Sequence, residues 1–381
     1  MILGYNTLNL PNIDALDPEK TLKDIGVTLT KQDLIDAGGK VKPDEPEPPY
    51  VEVESLEDLS NLISGEEAKI YAEIKQELAL AANDRIVIPA GKEVNLKIDN
   101  KISCTKTGFY VEDGGTLNLS GEGTIQTSNK STSGAMIEVK GANAIVNIED
   151  VTLDAITVNG KSTNNQAYGI YAMDDASINF KSGTIKCAYG SCISTNNTTE
   201  GATVINVEGG ELLCDGSYAI YLPSQSTVNI KGDAKVQGIN ARMGKFNISE
   251  NAQILPTTIT EADYDNIGSN FNTSGCVWLG DTIAIMAGTY TDVDGTECIF
   301  NIKDNATVTS NFRSAIGIYE VDTKEAQVVT FNVANAANVT TSDQGFENIT
   351  VYNHEYIAEQ AQAAGKTYNP SVQSDVTVNV A

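Results

Sequence analysis

The sequence predicts an all-β chain wound as a parallel β-helix, on three observations. An apolar-Asn-apolar tripeptide recurs ten times in 381 residues. A second short apolar stretch lies seven or eight residues after the first apolar residue of nine of these copies, and a third precedes six of them. All three kinds of stretch are rich in β-branched residues and separated by Gly, Asn, Asp and Ser, which marks strands and turns rather than the 3.6-residue rhythm of helices.

The tripeptides are Val94-Asn95-Leu96, Leu117-Asn118-Leu119, Val146-Asn147-Ile148, Ile178-Asn179-Phe180, Ile205-Asn206-Val207, Val228-Asn229-Ile230, Phe246-Asn247-Ile248, Phe300-Asn301-Ile302, Phe331-Asn332-Val333 and Val378-Asn379-Val380. Ile283-Ala284-Ile285 reads as a further copy with Ala in the Asn slot. The second stretch centres on Ile102, Ile125, Leu153, Ile185, Leu212, Val236, Ile254, Tyr290, Val308 and Val339. The third comprises Phe109-Tyr110-Val111, Met136-Ile137, Gly169-Ile170-Tyr171, Cys192-Ile193, Ala219-Ile220-Tyr221 and Gly317-Ile318-Tyr319. Most tripeptides follow one another at 17 to 32 residues, and the gaps of 37 and 47 leave room for insertions. About ten coils of three strands result, which at ~4.8 Å per coil stack to a length on the order of 50 Å.

Side-chain alternation sends the two apolar residues of each tripeptide inward and the middle residue outward. An external column of Asn95, Asn118, Asn147, Asn179, Asn206 and Asn229 follows, whose amides can hydrogen-bond from coil to coil. The same reasoning turns Tyr110, Tyr171, Tyr221 and Tyr319 outward. Exposed rings on a rigid face suit either sugar stacking or a subunit interface, and β-strands favour Tyr in any case. Cys187 and Cys214 fall in one inward column with Cys104, which reads as stacked core thiols rather than a disulfide.

Both ends carry a cap. Ser55-Leu56-Glu57-Asp58 opens a short helix over about 55–64, stopped at Gly65, and Glu355 to Ala364 forms a second helix closed by Gly365 before a last strand from Val376 to Val380. Residues 41–50, with Pro43, Pro46, Pro48 and Pro49 among acidic side chains, form a stiff linker. Residues 1–40 are then a small N-terminal anchor segment, too short to bury much surface alone, that orders against a partner.

A net charge of −26, from 51 acidic and 25 basic residues, argues against nucleic acid, whose phosphates are neutralised by Lys and Arg. The opening MILGYNTLNLPN has neither the basic start of a signal peptide nor a membrane-length apolar run. Six cysteines without CxxC pairs and one histidine do not make a zinc site, and they fit assembly in a reducing cytoplasm. Asp292, Asp294 and Glu297 have the flavour of a calcium loop but lack the EF-hand spacing, so they read as an acidic turn, and no metal or cofactor is expected. Asp174-Asp175 falls at a turn, where Asp is favoured for the turn itself, and His354 lies outside the coils. No catalytic set emerges.

The stretch from Leu56 to Ile102 resembles the first coils of pectate-lyase-like right-handed β-helix proteins, through a capping helix, a strand and then Ile88-Pro89-Ala90-Gly91-Lys92-Glu93-Val94-Asn95-Leu96. The resemblance implies a right-handed coil over roughly Val51 to Ala381. Lyases of that family set Arg or Lys beside acidic calcium ligands, whereas the arginines here are only Arg85, Arg242 and Arg313, so the activity does not carry over. An acidic, Asn- and Thr-rich β-helix behind a short segment and a Pro-Glu linker is also similar in organisation to head fibre proteins of tailed bacteriophages that infect gut Bacteroidales. That likeness implies a structural virion protein on the capsid exterior, assembled in the host bacterial cytoplasm. It would be gripped by a capsid protein through residues 1–40, form a homo-oligomer (dimer or trimer) and bind surface glycans, with no nucleic-acid or membrane partner. The alternatives are a tailspike-like polysaccharide depolymerase, which needs clustered Asp or Glu beside aromatics on an outer face, and a bacterial surface adhesin, which needs a secretion signal.

Overall fold

The structure is a computed structural model and describes residues 49–132, 134–162, 164–195, 203–259, 280–287, 297–320, 328–363 and 375–381. The chain divides into two units after Pro49. The expected anchor segment and all but the last two residues of the linker lie outside the described residues. The second unit is a right-handed parallel β-helix. Among the described residues, three parallel sheets of 12, 10 and 10 strands run along it, each strand bonded to its equivalents in the neighbouring coils. Its handedness is the one that right-twisted strands impose on parallel crossovers.

The first sheet holds all ten Asn tripeptides, from Glu93–Ile98 to Asp375–Val380. It starts earlier than the repeat suggests, because Lys69–Ile74 forms a further coil with Tyr71 opposite Asn95 in the Asn slot. The second sheet carries the inward row Ile102, Ile125, Leu153, Ile185 and Leu212, and the third runs through Phe109–Val111, Ala135–Lys140, Tyr168–Met173, Ile193–Thr195 and Ile220–Leu222. Asp174 and Asp175, both at positive φ (53° and 69°), make the turn from the third sheet to the first. That is a conformation Asp tolerates better than most residues, so their placement has a backbone reason.

One expectation about the coils is overturned. Ile283–Ala287 pairs with Ile239–Ala241 and Ile316–Glu320 on the third sheet, and Asn247 is followed directly by Asn301 on the first. Ile283-Ala284-Ile285 is therefore not a copy of the tripeptide. Alternating apolar residues suit any of the three faces, and only the central Asn distinguishes the first face from the others.

The core is a set of apolar rows, one residue per coil, with almost every inward side chain fully buried. Phe246, Phe300 and Phe331 stack in one such row, with ring centroids 4.2 and 4.7 Å apart and ring planes within 7° and 10° of parallel. Cys187 lies beside Cys214 in register, and Cys104, Cys187, Cys192, Cys214 and Cys298 are buried free thiols, while Cys276 is outside the described residues. Burial pushes the Cys104 thiol up to about 11 and also raises Cys192, Cys214 and Cys298, which keeps these sulfurs protonated and poorly nucleophilic.

Helix α1, Leu56–Ser64, closes the first coils. The Ser55 hydroxyl accepts from the Asp58 amide at 3.1 Å, and Leu59 and Ile63 pack into the core. Helix α2, His354–Ala363, buries Ile357 in a small apolar cluster separate from the main core. Among the described residues, no helix is long and apolar enough to cross a membrane.

Candidate functional site: an aromatic cleft on the third sheet

The first sheet presents the Asn column as a continuous ladder. Asn118 Nδ2 donates to Asn95 Oδ1 at 2.8 Å, Asn147 to Asn118 at 2.6 Å, Asn179 to Asn147 at 2.7 Å, Asn206 to Asn179 at 2.7 Å and Asn229 to Asn206 at 2.8 Å. The same bond continues through Asn247, Asn301, Asn332 and Asn379 at 2.8 to 3.0 Å. Asn95 ends the run by donating to the Ile70 carbonyl at 3.2 Å. Most of these amides are half-buried, so the column is partly sheltered rather than fully external. A trough of about 1030 Å3 follows its C-terminal half, past Lys231 and Lys303. Its amides are already engaged with one another, which gives the ladder a stabilising role. Asn206→Ala leaves Asn229 without an acceptor and Asn179 without a donor, and is expected to cost about 1–3 kcal/mol in urea unfolding. Asn379→Ala, at the exposed end, should stay within about 0.5 kcal/mol. Equal costs at the two positions would show that the ladder is not the source.

The third sheet carries the tyrosines, and coil-by-coil register sorts them. Tyr110, Glu138, Tyr171, Ser194, Tyr221 and Asn240 form one outward column. Tyr319 does not belong to it. The residue that continues the column is Gly317, and Tyr319 pairs instead with Met286 and Tyr352. It is also 1 % exposed, which corrects its expected place on an open face. The repeated Gly-Ile-Tyr at 169–171 and 317–319 misleads because Ile316, not Ile318, holds the position of Ile170. Apolar side chains around α2 then cover the Tyr319 ring. Tyr110 keeps its outward place, but the Arg85 guanidinium lies over its ring at 4.3 Å.

Tyr171 and Tyr221 line two adjoining clefts. One, of about 300 Å3, is formed by Thr132, Gly134, Ala135, Glu138, Tyr168, Tyr171 and Met173. The other, of about 220 Å3, includes Tyr168, Tyr189, Tyr218, Tyr221, Asn240 and Arg242. Tyr168 borders both, and its ring stacks on Tyr171 with centroids 5.7 Å apart and planes 6° from parallel. The backbone explains how residues three apart share a face. The amides of Gly169 and Ile170 donate to the successive carbonyls of Ser191 and Cys192, at 3.0 and 2.8 Å, whereas a regular strand sends successive amides to opposite sides. Gly169 is needed at this point, since a Cβ there would meet the Cys192 carbonyl oxygen at 2.5 Å.

Burial pushes the Tyr168 phenol up to about 12, with the Tyr221 and Tyr171 phenols adding to the rise, and burial also raises Tyr171. Both phenols are therefore neutral near pH 7 and present flat apolar faces with a hydroxyl at the tip. Asn240 is 5 % exposed, and its Oδ1 accepts no hydrogen bond among the described residues. Arg242, also 5 % exposed, brings a guanidinium to the same cleft. Glu138 lies in the other cleft, where it accepts from the Thr107 hydroxyl at 2.6 Å.

Sequence reasoning thus found Tyr171 and Tyr221 and missed Tyr168, Tyr189, Tyr218, Asn240 and Arg242. Alternation alone would turn Tyr168 and Tyr218 inward, since each stands two residues before an inward Ile, Ile170 and Ile220. Of the acidic trio, Asp292 and Asp294 lie outside the described residues, and Glu297 is an exposed residue opening the strand Glu297–Ile302.

Fold and cleft together define a β-solenoid with an aromatic groove on one face. No protein-family model matches the chain, and no curated protein or solved structure matches it.

Proposed function

We propose that this chain is a structural display protein, a phage head fibre or capsid decoration protein whose β-helix binds glycans through the cleft at Tyr168, Tyr171 and Tyr221. The observation that carries the binding reading is the parallel Tyr168–Tyr171 pair, whose Tyr168 ring borders both clefts on the third sheet. Flat aromatic faces with hydroxyl tips offer sugar rings apolar area and hydrogen bonds at little entropic cost. The virion reading is supported by organisation: an acidic β-helix after a short segment and a Pro-Glu linker. In this reading residues 1–40 grip a capsid protein, the chain assembles as a homo-oligomer, and many weak glycan contacts add through valency.

Mass spectrometry of purified phage particles is expected to find the protein in stoichiometric amount, and its absence from particles would remove the virion assignment. On an immobilised glycan panel, Tyr171→Ala is expected to weaken binding about tenfold, or about 1.5 kcal/mol, with an unchanged thermal melt. Release of shortened oligosaccharides from the panel would replace this reading with the depolymerase.

A further inference from the structure

We infer that the Tyr171 end of the cleft takes an amino sugar with a free ammonium group, its ammonium against the Glu138 carboxylate and its ring on the Tyr168–Tyr171 pair. This rests on the glycan reading of the same cleft and deepens it by naming the sugar class. Glu138 lines the cleft that also holds Tyr168, Tyr171 and Met173. It stands beside Tyr171 in coil-to-coil register and is half-buried. Thr107, 8 % exposed, donates through its hydroxyl to Glu138 Oε1 at 2.6 Å and so fixes one carboxylate oxygen in place. Among the described residues Glu138 makes no other hydrogen bond and no ion pair. Lys140, two residues on along the strand, faces Asp174 at 3.9 Å instead, and the Arg85 guanidinium lies over the Tyr110 ring at 4.3 Å. A half-buried carboxylate that is positioned but holds no cation leaves its charge for a ligand to neutralise.

The rings supply the other half of an ammonium site. Tyr168 and Tyr171 are half-buried and parallel, and no Lys or Arg lies over either ring among the described residues. The face of a tyrosine ring is negative and attracts an ammonium within about 6 Å of its centroid. The same column already contains such a contact, since Arg85 covers Tyr110 one coil before Glu138. Burial raises the Tyr171 phenol, and the Tyr221 phenol and then the Glu138 carboxylate add to the rise, as a carboxylate close to that ring must. A neutral sugar would leave Glu138 without a counter-charge, and an acidic one would be repelled by it.

Overall charge and cleft size agree with this ligand. The net charge of −26 attracts cations over the whole surface, so it adds to the pull of Glu138. About 300 Å3 stands at the lower end of the roughly 300–1,000 Å3 of ligand pockets, which suits one sugar ring.

Ligand-observed NMR titration of the full chain, at a pH where the amine is protonated, compares three sugars. These are methyl glucosaminide, methyl N-acetylglucosaminide, which lacks the charge, and methyl glucoside, which has a hydroxyl in place of the amine. The glucosaminide is expected to bind about tenfold tighter than either of the others, with the preference shrinking as salt is raised. Glu138→Gln, which keeps an acceptor for Thr107, should remove that preference. Glu149→Gln makes the same change of charge at an exposed residue after the first-sheet strand Ile145–Ile148, and should leave the preference intact. Should Glu138→Gln not fold, the three-sugar comparison on the parent chain reads the same contact. Equal affinities for the three sugars, or an equal loss in both variants, would overturn the amino-sugar inference and leave the glycan reading standing. Binding of none of the three would also overturn it, and a blank glycan panel would remove the glycan reading itself.

Discussion

Asp281→Ala is expected to destabilise the β-helix by about 3–5 kcal/mol, the cost of breaking a buried charged network from one side. Asp281 is fully buried. Its carboxylate accepts from the Tyr319 hydroxyl, from the Tyr352 hydroxyl at 3.0 Å and from the Ser314 amide at 3.0 Å, and the Arg313 guanidinium stands 3.8 Å away. Its backbone carbonyl accepts from the Tyr218 hydroxyl at 3.1 Å. Gly317 makes room for it, since a Cβ there would lie 2.5 Å from the carboxylate. Removing the carboxylate takes a buried acceptor from two phenols and the Ser314 amide beside a buried cation, at the base of the cluster on which α2 packs. Urea unfolding measures the cost, and a loss below about 1 kcal/mol would mean that the network is dispensable.

The same group sets a pH dependence of known sign. Burial raises the Asp281 pKa, while Arg313, Tyr319, Tyr352 and the Ser314 amide pull it partly back. A carboxyl with a folded pKa above its unfolded value contributes stability that is complete below the unfolded pKa and is lost as pH rises through the folded one. Asp281→Asn, which does not titrate, should therefore cost more near pH 3 than near pH 7 relative to the parent chain. A penalty that grows with pH would contradict the direction of the shift.

How much of this was legible in the sequence depends on whether a feature repeats. The Asn ladder could be read residue by residue, because ten tripeptides of one apolar-Asn-apolar pattern fix one register and alternation fixes the side on which each amide lies. α1 could also be read, because Ser55 and Asp58 carry a local capping signal. The Asp281 network could not, since its members stand at 218, 281, 313, 319 and 352 and meet only once the coils are stacked. The cleft lies between these extremes. Tyr171 and Tyr221 follow from alternation, but Tyr168 reaches the same face through a backbone irregularity at Gly169 that alternation does not anticipate. Tyr319 was misplaced for a related reason, as a two-residue shift along a strand preserves inward and outward yet moves a side chain into another column.

Phe300→Ala tests the core with a comparable effect, expected at about 3–5 kcal/mol. Phe300 lies between Phe246 and Phe331 in one inward row, in near-parallel contact with both rings and fully buried. Truncation removes its own burial and one stacking partner from each neighbour, and the row cannot close over the gap, because ladder bonds from Asn247 to Asn301 to Asn332 hold the three strands in register. In a solenoid each coil contacts only the next, so the damage should stay local. Hydrogen exchange is expected to speed up most in Gly244–Ile248, Glu297–Ile302 and Val328–Val333, with Thr116–Ser120 protected as before. Phe300→Leu, which keeps most of the volume but none of the stacking, should lose less than half as much. Uniform loss of protection along all coils would instead mean that the β-helix unfolds as one cooperative block, and that the stacked phenylalanines support the whole coil array rather than their own neighbours.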